Sequence, residues 1–182
     1  MSLVQLYIPV SIILDKENIL EEGREFRFKV APLDPYDPFR GKYINLSFEQ
    51  SSFQVTNEAE WVQGTPVFIT MTDDEKGFAK IASVSKEPPA GEEAYIKAIS
   101  GYVYTDSITT MAIHFPFDRF YMEESKAENA EKAYNDSARD STQITYALVS
   151  VMNGDAVIKD VLINGVPIKE VAKNYKEEPA FE

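Results

Sequence analysis

Apolar and polar residues alternate with a period of two through most of this chain, which predicts a protein built largely from strands. Phe26, Phe28 and Val30 alternate with Glu25, Arg27 and Lys29, marking a first strand over Glu25–Val30. Ile44, Leu46 and Phe48 alternate with Asn45, Ser47 and Glu49, marking a second over about Lys42–Gln50. Pro66–Thr72 and Phe78–Val84 flank Asp73-Asp74-Glu75-Lys76-Gly77 and read as a hairpin whose five-residue loop ends on glycine. After a Pro88-Pro89-Ala90-Gly91 loop, Ala94–Tyr104 reads as a strand bent at Gly101. Ile108–His114 returns from a Thr105-Asp106-Ser107 turn. Thr145–Met152 and Ala156–Ile163 join through Asn153-Gly154, a strong hairpin signal because both turn residues tolerate positive φ.

One segment changes period. From Glu123 to about Ala138 good helix formers dominate, with Glu123 and Glu124 at the end where the helix dipole favours negative charge. Ala127, Ala130, Ala133 and Tyr134 fall on one side, a narrow face of mostly small residues suited to close packing on a sheet. Short strands with one helix, and no regular strand–helix rhythm, predict a mainly β protein. The expected architecture is an antiparallel sandwich or barrel-like sheet with one packed helix around 123–138. Rossmann and TIM folds do not fit. The expected organisation is an apolar entry over 1–14, a single β-rich domain over 15–172 and a polar tail over 173–182.

Composition narrows the chemistry. A chain of 182 residues, 44% hydrophobic and 12% aromatic, is large and apolar enough to bury one substantial core. Its formal net charge of -12 opposes binding to a phosphate backbone, so no nucleic-acid partner is expected. Without cysteine there is no disulfide, thiol nucleophile or thiolate metal site. His114 is the single histidine, and its neighbours Ile113 and Phe115 place it on the opposite, solvated face of a strand. A zinc site would then need carboxylates for its other ligands, so neither a metal nor a cofactor is expected. No Gly-x-Ser-x-Gly elbow supports a serine triad, and Ser125 and Lys126 are helix neighbours that point apart. Trp61 in the polar Asn57–Gly64 loop reads as tucked beneath it.

Two segments carry candidate site residues. Asp34-Pro35 and Asp37-Pro38 stiffen a loop, because proline fixes φ and pushes the residue before it toward extended geometry. Arg40 and Gly41 follow, and Gly41 can take positive φ at the turn into the second strand. Asp34, Asp37, Arg40, Gly41 and Tyr43 form the candidate binding set. Arg40 suits a carboxylate or phosphate, and the aspartates suit its guanidinium or a basic partner group. The competing reading is a self-satisfied turn, in which the aspartates bond nearby backbone N–H groups. The second segment holds Asp118, Arg119, Tyr121, Glu123 and Glu124 just before the helix. Its acids read as dipole partners rather than a general acid and base. Phe115, Phe117, Phe120 and Tyr121 read as core packing. No catalytic residue is assigned.

Gly41-Lys42-Tyr43-Ile44-Asn45-Leu46-Ser47-Phe48 resembles the motif that names the GDYXXLXY family, with Gly41, Tyr43, Leu46 and Phe48 at motif positions. Lys42 stands where the name has Asp, and Phe48 where it has the last Tyr. No essential carboxylate is therefore carried over to position 42. The preceding Pro-x-Asp-Pro-x-Asp-Pro-x-Arg run, Gly23 ahead of Phe26-Arg27-Phe28, and Phe117–Tyr121 leading into a helix extend the likeness over nearly the whole chain. The resemblance implies a source among Bacteroides and relatives, and an N-terminal membrane-spanning helix. It also implies genes placed beside those of multi-pass membrane proteins.

Leu3–Leu14 is apolar but shorter than the ~20 residues a span needs, and it lacks a signal peptide's basic start. It is expected to be the remnant of such an anchor, with Met1-Ser2-Leu3 a non-native start; the alternative is an amphipathic helix docked on the domain. The functional expectation is a non-catalytic domain at the cell envelope, held on the extracytoplasmic, periplasmic side and binding an integral membrane or envelope protein. The alternative is a hydrolase of an envelope polymer, using paired carboxylates about 5–9 Å apart.

Overall fold

The computed structural model describes residues 14–32, 43–91 and 93–175. Strands dominate and the named pairings are antiparallel, so the molecule is mainly β, as the alternation predicts. In chain order the elements are α1 (residues 14–22), β1 (Arg24–Lys29), β2 (Tyr43–Asn45), β3 (Ser52–Gln54), a 3-10 turn at Glu58–Glu60, and β4 (Pro66–Asp73). There follow β5 (Ala79–Ser85), β6 (Tyr95–Thr105), β7 (Thr109–His114), β8 (Arg119–Tyr121) and α2 (Glu124–Arg139). The chain continues through β9 (Thr145–Met152), β10 (Asp155–Ile163), β11 (Val166–Pro167) and α3 (Ile168–Asn174). Two compact units are each assembled from separated stretches. One four-stranded sheet has the order β1-β9-β10-β11.

The first unit takes residues up to Phe28, then Gln50–Phe117 and Leu148–Lys159. Its five-stranded sheet has the order β3-β7-β6-β4-β5. Alternation puts Val67, Ile69, Met71, Ile96, Ala98, Met111 and Ile113 on the buried face. Burying each valine, isoleucine or methionine among them contributes roughly 1.5–3 kcal/mol. Phe28, Phe115 and Phe117 add a ring cluster with centroids 5.2–5.5 Å apart. The bend expected at Gly101 is a bulge: register shifts between Ser100 and Val103. A Cβ at Gly101 would stand 2.8 Å from that of Ala112 and 2.9 Å from His114 Nε2, so only glycine fits there unshifted. His114 is exposed, as its neighbours predicted. Trp61 is half-buried after the 3-10 turn, with the Lys86 ammonium 5.5 Å over its ring.

The second unit takes Lys29–Glu49, Asp118–Ala147 and residues from Asp160 onward. Here α2 buries Ala127, Ala130, Ala133, Tyr134 and Ser137, the small-residue face read from the sequence. Tyr134 is fully buried and its hydroxyl accepts from Ser47 N at 3.4 Å. Thr145 Oγ1 donates to Ser137 Oγ at 2.8 Å, and Ser137 Oγ donates to the Tyr134 carbonyl at 2.9 Å, so these buried hydroxyls are satisfied. At the far end of α2 the Asp140 carboxylate accepts from Thr142 and from Gln143, which holds its pKa below the ordinary value.

Several elements depart from the expectations. Two helices, α1 and α3, join the single one predicted. α3 buries only Ile168 and Ala172, and it lies beside α2 with Asn129 Nδ2 donating to the Ala172 carbonyl at 3.4 Å. It runs to Asn174, into the first residues of the segment read as a polar tail, and the Tyr175 hydroxyl donates to Asp136. The predicted strand over Lys42–Gln50 is shorter: β2 ends at Asn45 and Phe48 forms only an isolated bridge with Val30. The period survives, with Ile44, Leu46 and Phe48 buried. A second Asn-Gly turn at Asn164-Gly165, with φ of 51° and 82°, folds β11 back on β10.

Candidate functional site

Of the first candidate set, Asp34, Asp37, Arg40 and Gly41 lie outside the described residues; Tyr43 lies within them. Tyr43 opens β2, which pairs with β8 as a two-stranded ribbon in the register Tyr43↔Tyr121, Ile44↔Phe120 and Asn45↔Arg119. Period two then sorts the side chains. Ile44 and Phe120 turn inward and are buried, while Arg119 and Tyr121 are exposed. The Leu46 N–H donates to the Asp118 carbonyl at 2.8 Å and prolongs the pairing past β2.

On the outer face the Tyr43 and Tyr121 rings meet with centroids 5.4 Å apart and planes at 55°. The Arg119 guanidinium carbon lies 5.1 Å from the Tyr43 ring centroid, within cation–π range. Arg119 also approaches Asp118 Oδ1 at 3.7 Å. A hydrogen bond with Tyr121, then Tyr43 and Asp118, hold its already high pKa up, so it stays a fixed cation. Tyr121 is 63% exposed. Its expected role as core packing is therefore corrected: it pairs with Tyr43 on the outside, while Phe117 and Phe120 are the buried rings. Leu46 and Phe48 are buried motif residues with a packing role.

Of the acids before α2, Glu123 is held by a lysine side chain. Glu123 sits at the N-cap position with no side-chain cap bond, and its Oε2 accepts from Lys126 Nζ at 2.6 Å. That bond and charge, helped by Lys169 and Lys173, hold the carboxyl below its ordinary value. A general acid needs the opposite shift. Because the pKa is lowered on folding, this contribution is present above the ordinary value of 4.5 and is lost as pH falls through the lowered one. Urea midpoints should therefore separate the wild type from Glu123→Gln slightly at pH 7 and not at pH 2. A gap that widens in acid would overturn the assignment.

Among the described residues no three His, Asp or Glu side chains are grouped to hold a metal ion. No described helix is long and apolar enough to cross a membrane. Tyr43 stands out in one segment of the sequence and Arg119 and Tyr121 in another, and only the β2–β8 register joins them. The available signal was the period-two spacing of Arg119 and Tyr121 about Phe120, which marks a short strand with a solvated face. Neither a curated protein nor a solved structure matches the chain. A model of the family described as GDYXXLXY protein matches residues 5–161, a stretch that contains both strands of the ribbon. Since that match covers most of the sequence, the chain belongs to the GDYXXLXY protein family.

Proposed function

We propose that this chain is the non-catalytic binding domain of a membrane-anchored cell-envelope protein, facing the extracytoplasmic side and holding an integral membrane protein through the β2–β8 ribbon. The observation that carries the reading is the outward cluster of Tyr43, Arg119 and Tyr121. Tyrosine and arginine are the side chains most often found at the energetic centre of protein interfaces, where rigid rings are desolvated and a fixed cation sets orientation. The ribbon already holds these groups against each other, so little side-chain freedom remains to be lost on binding. The apolar run Leu3–Leu14 supports the anchored setting. The Asp34–Arg40 segment, which precedes β2 in the sequence, adds charged groups of both signs to the same stretch of chain.

Co-purification from native membranes tests the reading. Arg119→Glu and Tyr121→Ala each replace an exposed side chain and should leave the thermal midpoint nearly unchanged, since surface substitutions usually shift stability by no more than ~0.5 kcal/mol. Each should weaken capture of the membrane partner by about tenfold or more. If both variants bring down the same membrane proteins in the same yield as the wild type, the ribbon is not the interface.

A further inference from the structure

The first unit carries a second unusual surface, on the outward face of its five-stranded sheet. Strand register sorts the side chains: positions level with buried Ile69, Met71, Met111 and Ile113 turn inward, and those between them turn outward. The outward row of β6 is Tyr95, Lys97, Ile99, Tyr102 and Tyr104. The Gly101 bulge keeps this row in step, because Ile99 stands opposite His114, Tyr104 opposite Thr110, and Gly101 and Tyr102 together occupy the level of Ala112. Ile99, Tyr102 and Tyr104 are 41%, 58% and 46% exposed, and Lys97 is exposed beside them. Large exposed apolar strips on a folded surface mark contact sites.

The charge of this face is unlike that of the chain. No outward position on its five strands is Asp or Glu, although the sequence has 30 of them. The bases there are Lys80, Lys97 and His114. Acids resume only past the ends of β6, at Glu93 and Asp106. The sheet also curls. Gln50 Oε1, just before β3, accepts from Ile81 N of β5 at 3.3 Å, which brings the outermost strands together and leaves the outward face convex. The same bond covers part of the β5 edge, so contact comes through the face rather than by strand addition.

We infer that this face is a self-contact, on which two copies of the chain meet across a two-fold axis that passes over β6 at Ile99. The row is laid out for it. Lys97 and Tyr102 lie one outward step to either side of Ile99, and Tyr95 and Tyr104 lie two steps away. An axis across the strands sets the two β6 rows antiparallel, so Ile99 meets the partner's Ile99 and each Lys97 ammonium lies over the partner's Tyr102 ring, a cation–π contact. Charge selects this occupant. Two chains of net charge -12 repel each other, and an acid-free face lets them touch without setting carboxylate against carboxylate. A basic partner would find no carboxylate there, and an acidic one only scattered bases around an apolar row. Convexity confines the contact to β6 and its neighbours, which places the dimer in the weak, reversible class below about 1,200 Å². The inference stands apart from the β2–β8 ribbon, whose residues it does not use.

Sedimentation velocity at protein concentrations up to about 1 mM tests it. The mass should climb from monomer toward dimer, and the dimer should tighten as salt rises from about 0.01 to 0.15 M, because the acids outside the contact are then screened from each other. Tyr102→Lys sets ammonium against ammonium and should weaken the dimer about tenfold or more, with the thermal midpoint nearly unchanged. Adding Lys97→Tyr to it restores the crossed lysine–tyrosine pairs and should recover most of the loss. Lys97→Glu, which sets a carboxylate over the partner's ring, should weaken the dimer severalfold and replaces Tyr102→Lys if that variant does not fold. A chain that stays monomeric to about 1 mM overturns the inference. So does a dimer that loosens with salt, one indifferent to these variants, or one that the double variant does not recover. Tyr102-dependent retardation of a monomer in a neutral polysaccharide gel assigns the face to another occupant and also overturns it.

Discussion

Tyr134→Ala is expected to lower the unfolding free energy by about 3–5 kcal/mol, the range for truncating a buried aromatic side chain. Small proteins have only roughly 5–15 kcal/mol in total, so the variant should sit near the threshold of folding at 37 °C. The reason lies in the shape of the α2 face. Ala127, Ala130 and Ala133 bring the helix close to its neighbours, and Tyr134 is the one large side chain filling the space beside them. Alanines cannot relax into the void, so a cavity remains. Burial also pushes the phenol far above its usual range, so the ring stays neutral. Tyr134→Phe separates the ring from its hydroxyl. It should cost only about 0.5–1.5 kcal/mol, because the bond from Ser47 N is long at 3.4 Å. Urea unfolding of the two variants decides the matter. A loss below ~1 kcal/mol for the alanine variant would show that the helix is not anchored by this side chain.

What could be read from the chain, and what could not, follows the range of the forces involved. The β9–β10 hairpin, the β4–β5 hairpin and α2 are specified by neighbours a few residues apart, and each appears close to the predicted bounds. The short elements escape for a common reason. β3 and β8 have three residues each and α3 seven, too few for either period to stand out. Helices this short are held by what they pack on, not by propensity. Asn164-Gly165 is different: its local turn signal is present in the sequence, but β11, at two residues, does not read as a strand. The candidate site was half legible. Tyr43 stands out through its motif, but its partners Arg119 and Tyr121 depend on the β2–β8 register, which joins residues 78 positions apart (43 to 121). Local pattern cannot choose between such pairings. The misreading of Tyr121 has the same origin, since aromatic character alone does not say which face of a ribbon a ring occupies.

Gly154→Val is expected to lower stability by about 3 kcal/mol or more, from two separable causes. Gly154 has φ of +91° in the Asn153-Gly154 turn, a region in which a side chain costs roughly 1–2 kcal/mol and a β-branched one more. Space is also missing: a Cβ at this position would stand 2.8 Å from Tyr95 Cε2 and 3.4 Å from Cζ. The turn cannot easily swing away, because Lys97 N donates to the Gly154 carbonyl at 2.8 Å and Gly154 bridges Ile96. Asn153→Gly, in contrast, should be nearly neutral, since Asn153 is exposed at φ 53°, which glycine also adopts freely. A double-mutant cycle with Tyr95→Ala separates the causes. Removing the ring relieves the collision and leaves the dihedral penalty, so Gly154→Val should be less damaging in the Tyr95→Ala background than in the wild type. Equal damage in both backgrounds would place the whole effect in the backbone. The tyrosine would then be resting on the turn without constraining it, and the tie from β6 to this hairpin would be carried by the backbone, through the Ile96 bridge and the Lys97 hydrogen bond.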